Sequence, residues 1–201
     1  MSYQIYTTEG IVLRGKPFGE SHKFLQIYTK DFGLIGASVR SVRDLKSKLR
    51  YNLATLSCSE ISLVRGKNEW KIVSARLSRN FYSDFFSNNE ALLLVARALS
   101  LIEALCPGEE KNLGLYETVN KGFEFLCRAP LTKSELLNFE PVLILRIIRD
   151  LGYLEKSHHL DIFSKSDEWT ENLIVQMQTH RREAVTHINR ALKESQLVRK
   201  D

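Results

Sequence analysis

The chain has 201 residues, 43% of them hydrophobic and 26% charged, with a formal net charge of +5. That length buries a real core in one large domain or two small ones, and that balance excludes a disordered chain. The charge is unevenly spread: residues 1 to 82 hold 14 Lys and Arg against 6 Asp and Glu, whereas residues 83 to 201 hold 15 against 18, so the first part is suited to face a polyanion and the second is not.

In chain order, the opening MSYQIYTTEG has no positive segment followed by an apolar run, so no secretory leader is expected and the cytoplasm is the expected compartment. Five strand-like runs follow, rich in β-branched and aromatic residues: Glu9 to Arg14, His22 to Thr29, Leu34 to Val39, Leu53 to Val64 and Glu69 to Leu77. Turn chemistry separates them: GKPFGES over Gly15 to Ser21, KDFG over Lys30 to Gly33 with a glycine available for positive φ, and RGKN over Arg65 to Asn68. Between the third and fourth runs lies RSVRDLKSKLR, residues 40 to 50, with five basic residues against Asp44. Val39, Val42, Leu45 and Leu49 recur at spacings of three and four, which predicts a short amphipathic helix with the charges on its outer side. A solvated helix face is the plain reading of that run.

Five strands with one short helix after the third is the order of an oligonucleotide/oligosaccharide-binding (OB) barrel. Ligands of this fold lie on the face of strands two and three, between the first and last hairpin loops, and those loops here carry Lys16, Arg65 and Lys67. Cations from separate segments lining one groove are what a nucleic-acid backbone requires, because several phosphates are neutralised together. Bases are held by stacking on exposed rings. Phe24 and Tyr28 share one face of the second strand, and Leu25 and Ile27 share the other; alternation alone leaves open which face is core. Phe18 and Phe32, in turns, are the further exposed candidates.

After Asn80 the period changes, giving an α+β chain with a barrel over residues 1 to 80 and an all-α domain over 81 to 201. FYSDFFS, residues 81 to 87, forms the junction, with its three phenylalanines expected to cement it. Helices are predicted over Glu90 to Leu105, Leu113 to Leu126, Ser134 to Leu151 and Trp169 to Leu197, with a capping box at Thr132 and Glu135, a kink or break at Pro141 and a stop at Gly152. The most apolar window, Ala91 to Leu105, is shorter than the roughly 20 residues a bilayer span needs, and it carries charges at Arg97 and Glu103.

Cys58, Cys106 and Cys127 are scattered in apolar settings with no CxxC pair, which suits free thiols and disfavours a thiolate zinc site. Walker, GxGxxG, GxSxG and HExxH patterns are lacking, and the adjacent His158 and His159 point in different directions, so neither an enzyme nor a metal or cofactor is expected.

Residues 9 to 49 resemble the amino-terminal domain of the bacterial recombination mediator RecO family: a leading GIVLR (Gly10 to Arg14), a GES turn (Gly19 to Ser21), Tyr28-Thr29, Gly33, an arginine step at Val39-Arg40-Ser41 and the basic run Lys46 to Leu49. ILRIIRDLGY, Ile144 to Tyr153, is similar to the family's helix ending in Leu-Gly-Tyr, and His187 to Leu197 to its final helix. The resemblance implies an OB barrel with a helical second domain, binding to single- and double-stranded DNA, strand annealing, and partnership with RecR and single-strand-binding protein. It carries DNA contacts onto Arg14, Arg40, Arg43, Lys46 and Lys48; the residue-level reading adds Lys16, Arg50, Arg65, Lys67 and Lys71. Many members hold a four-cysteine zinc module after the Leu-Gly-Tyr helix, whereas residues 155 to 168 here contain no cysteine. Val39 and Ser41 also depart from the usual small residues around Arg40. The helical domain is expected to offer a protein-docking surface. Two other readings of the same residues are an RNA-binding barrel in ribosome maturation or translation, and an interaction module with incidental charge.

Overall fold

The structure, a computed structural model, describes residues 4–18, 20, 22–40, 47–67, 69–154 and 159–195. It divides into two compact units: the chain up to Ser87 together with Cys106–Asn112, and Asn88–Leu105 together with the chain from Leu113 onward.

The first unit is a closed barrel in the order β1-β2-β3-β5-β4, built from β1 (Ile5–Phe18), β2 (His22–Thr29), β3 (Gly33–Val39), β4 (Ser57–Arg65) and β5 (Trp70–Asn80). Closure depends on β1, whose first half pairs with β4 from Ile5↔Val64 to Ile11↔Cys58 and whose second half pairs with β2 from Gly10↔Thr29 to Phe18↔His22. A register shift between Val12 and Arg14 lets one strand serve both neighbours. Only Ala37↔Trp70 and Ser38↔Lys71 join β3 to β5, in parallel. The interior is filled by Val12, Leu25, Ile27, Ile35, Ala37, Ile61 and Leu63, all at 1% exposure or less.

Most of the helix expected over residues 40 to 50 lies outside the described residues; what is described of it ends in α1, the turn Leu49–Asn52. Val39 belongs to β3, held there by pairing with Lys23, so the apolar spacing from Val39 to Leu49 does not mark one helix; residues 41 to 46 lie outside the described residues. The fourth strand starts at Ser57 rather than Leu53, because the Leu53 amide closes α1 on the Leu49 carbonyl and Leu56 takes φ 66°, its amide tied to the Val12 carbonyl. After β5 comes the short α2 (Phe81–Asp84), capped by Asn80. Of the three junction phenylalanines, Phe81 and Phe85 are buried but Phe86 is 67% exposed.

The stretch Cys106–Asn112 forms a strap on the barrel. Gly33 takes φ +66° in the turn after β2, and a Cβ there would lie 2.2 Å from the Glu110 carbonyl oxygen, so glycine is what allows the strap this close. The Leu34 amide donates to the Gly108 carbonyl at 3.0 Å, and Lys111 pairs with Asp31 at 2.9 Å.

In the second unit, α3 (Asn89–Leu105), α4 (Leu113–Arg128), α6 (Asp161–Lys165) and α7 (Glu171–Glu194) pack on α5 (Lys133–Asp150). The capping box forms as expected, Glu135 accepting from the Thr132 amide at 2.7 Å. Gly152, φ +78°, ends α5: its amide bonds to the Arg149 carbonyl and the Tyr153 amide to the Ile148 carbonyl. Pro141 does not break α5, because the rung it removes is offset by a buried run from Phe139 through Ile148. The short α6 had no periodic signal; its carbonyls are held by Arg146 and Arg149, described below. Among the described residues, no helix is long and apolar enough to cross a membrane.

Candidate nucleic-acid interface

Strand alternation sets the outer face of the barrel. On β2, Leu25 and Ile27 point into the core, which turns Phe24 and Gln26 outward; on β3, Ile35, Ala37 and Val39 point inward and Gly36 and Ser38 outward. Past its register shift, β1 sets Arg14 opposite Gln26 and Lys16 opposite Phe24, both basic residues exposed. Following partners from strand to strand, Lys16, Phe24, Ser38 and Lys71 form one rung across β1, β2, β3 and β5. Neighbouring strands are about 4.8 Å apart, so the two lysines bracket Phe24 and Ser38 over roughly 15 Å.

Beside this rung the two-pair contact between β3 and β5 opens into a groove of about 450 Å³, lined among others by Ser38, Arg40, Leu49, Arg65, Lys71 and Val73. The end of β3, the turn of α1 and the β4–β5 hairpin each contribute a wall. Of the ten basic residues predicted for the site, Arg40, Arg65 and Lys71 therefore share one concavity. Lys48 and Arg50 are exposed on either side of Leu49, Lys67 is exposed in the β4–β5 turn, and Arg14 and Lys16 lie on the outer face of β1. Arg43 and Lys46 fall outside the described residues.

Charge pairing separates these cations from others on the barrel. Lys30 pairs with Glu9 at 3.9 Å, Arg76 with Glu60 at 3.3 Å and Arg79 with Asp84 at 3.3 Å. Among the described residues, Lys16, Arg40, Lys48, Arg50, Lys67 and Lys71 form no ion pair. Arg65 is the exception within the groove: its guanidinium lies 4.7 Å from the centre of the Trp70 ring and pairs with Glu109 of the strap. Glu109 was not legible from the sequence, since CPGEEKN reads as a polar turn between helices and no local spacing tells that it docks on strands formed much earlier.

The aromatic expectations divide. Phe18 is 62% exposed at the end of β1, but Phe32 is only partly exposed, packed with Tyr6 and Trp70, ring centres 5.8 and 5.0 Å away. Tyr28 is buried at 1% exposure and Phe24 is partly exposed.

Among the described residues, no group of three or more His, Cys, Asp or Glu is placed to hold a metal ion. After α5, Arg146 donates to the carbonyls of Phe163 at 2.9 Å and Glu168 at 2.8 Å, and Arg149 to that of Ser164.

A closed five-stranded barrel with a short helix between its third and fourth strands defines an OB-fold protein. Residues 1–81 match the family model described as "Recombination protein O N terminal". Similar proteins named DNA repair protein RecO include that of Thermodesulfovibrio yellowstonii, 31% identical over 55% of this chain and 44% of the relative, and that of Dehalococcoides mccartyi strain CBDB1, 32% identical over 74% of this chain and 56% of the relative. That of Gloeothece citriformis is 31% identical over 58% and 41%. The amino-terminal domain, residues 1–81, belongs to the RecO family, and the chain spans about half the length of the curated relatives it matches.

Proposed function

We propose that the chain is a non-enzymatic DNA repair and recombination protein of the cytoplasm. Its barrel binds single- and double-stranded DNA through phosphates, without reading sequence, and brings complementary strands together for annealing. The observation that carries this reading is that Lys16, Arg40 and Lys71 have no carboxylate partner among the described residues, whereas Lys30, Arg76 and Arg79 of the same barrel are paired: a cation without such a partner exchanges counterions for phosphate. The groove beside Arg40 and Lys71 adds concavity to charge.

The helical unit is proposed to dock RecR and single-strand-binding protein, so that recombinase is loaded on coated DNA. Support comes from large apolar side chains left in the open, Leu93 at 57%, Leu137 at 51% and Val185 at 42% exposure, with Arg97, Arg181 and Arg182 lining the adjoining depressions.

The test is the salt dependence of DNA binding by the full chain. Log affinity is expected to fall linearly with log salt. Each of Lys16→Glu, Arg40→Glu and Lys71→Glu removes one phosphate-binding cation and is expected to shrink the slope by about one, while Arg76→Glu leaves it unchanged. Equal slopes for all four variants, or binding to structured RNA with no annealing of DNA, would overturn the reading.

A further inference from the structure

We propose that Phe24 is a base-stacking platform that makes the barrel favour unpaired over paired strands; this rests on the DNA-binding reading above and deepens it. The observations concern how the ring is seated. Phe24 lies on the outward face of β2, because its neighbour Leu25 points into the core, and it remains partly exposed. Its diagonal neighbour on β3 is Gly36, and the ring occupies the space a side chain would take there: a Cβ on Gly36 would meet Phe24 Cζ at 2.5 Å and Cε1 at 3.0 Å. The ring is thus laid across the strand rather than standing in solvent, held from beneath by backbone.

The residue directly opposite is Ser38, whose side chain is short, so nothing bulky overhangs the ring from that position of β3. Among the described residues, Phe24 forms no pair with another aromatic ring. Among the barrel's other rings, Tyr6, Phe32 and Trp70 pack on one another edge-on or tilted and Tyr28, Phe81 and Phe85 are buried, while Phe18 and Tyr51 stand exposed away from this seat on Gly36.

Charge is placed to match. Lys16 is one strand away from Phe24 and Lys71 two strands away on the other side, in the same rung. A nucleotide whose base lies on the ring therefore finds cations on both flanks for its own phosphate and a neighbour's. Phosphate contacts serve single and double strands alike, whereas a base inside a duplex already has both faces covered and offers nothing to the ring. Stacking on one aromatic side chain shifts affinity by roughly five- to a hundredfold.

The experiment compares full-length wild type, Phe24→Ala and Phe24→Leu for binding to an oligo-dT strand and to a duplex of the same length, each over a salt series. Leucine keeps an apolar side chain on Gly36 but has no π face, so it guards against loss of packing as the cause. Both variants are expected to lose at least fivefold in affinity for oligo-dT, with duplex affinity and both salt slopes unchanged. Wild-type affinity for oligo-dT in Phe24→Leu, or an equal loss for strand and duplex, overturns the platform. A Lys16→Glu/Lys71→Glu variant run alongside separates the two readings: if it lowers affinity for both ligands while Phe24→Leu changes nothing, only the platform fails, and if it too binds as wild type, the DNA-binding reading falls with it.

Discussion

The guanidinium of Arg146 lies over the indole of Trp169, 4.1 Å from the ring centre. Arg146 is 1% exposed, and burial pushes its pKa down to about 10, still charged at neutral pH; among the described residues it has no direct carboxylate partner and is satisfied by the carbonyls of Phe163 and Glu168. It ties α6 and the segment before α7 to α5. Arg146→Ala leaves the buried Phe163 carbonyl and the part-buried Glu168 carbonyl without this donor and opens a cavity beside Trp169, and is expected to cost about 3 kcal/mol, with Arg146→Lys intermediate because an ammonium lacks the fork and the stacking plane. Urea unfolding of the two variants measures this; wild-type stability for Arg146→Ala would contradict it.

Asp31 anchors the strap and carries a pH signature. Its carboxyl accepts from Lys111 Nζ at 2.9 Å and Thr8 Oγ1 at 2.8 Å, and these bonds, Lys111's first, hold its pKa below the ordinary 3.8. A lowered folded-state pKa means that the ionised group stabilises the fold above 3.8, and that this contribution is lost as pH falls through 3.8 toward the folded value. Asp31→Asn is expected to lower stability at neutral pH and to flatten the loss below about pH 4. Thermal melts across that range read both effects.

Gly33 makes the strap's approach possible, so Gly33→Ala is expected to expel it. The left-handed φ alone costs about 1–2 kcal/mol for a residue with a Cβ, and the overlap with Glu110 adds to this. Limited proteolysis should cut within residues 106 to 112 faster in the variant. An unchanged cleavage rate with unchanged stability would show that the turn accommodates the methyl.

Glu109 holds a groove cation in an exposed pair, worth about 0.2–1 kcal/mol to the fold. Glu109→Gln is therefore expected to leave stability nearly unchanged while removing the carboxylate charge that neutralises Arg65 in the groove. On the proposed function, single-stranded DNA affinity at low salt rises roughly threefold, and the salt slope steepens by up to about one. Weaker binding would mean that Glu109 positions Arg65 rather than competing with phosphate.

The elements were legible because their signals are local. Apolar alternation marks β2 at His22–Thr29, helical spacing marks α3, α4 and α5 to within a few residues, and Thr132 with Glu135 and Gly152 mark where α5 begins and ends, since each reports on hydrogen bonds made a few residues away. What tertiary structure decided has non-local causes. Alternation puts Phe24 and Tyr28 on one side of β2 but cannot tell which side is core, nor that Tyr28 is covered and Phe24 is not, because burial depends on what arrives from elsewhere. The basic residues are plain in the sequence, yet only barrel closure brings Lys16 and Lys71 into one rung and gives Arg65 a carboxylate from the strap, while Arg40 and Lys71 keep none among the described residues. Residue identity supplies the charge; register and closure determine which charges share a face.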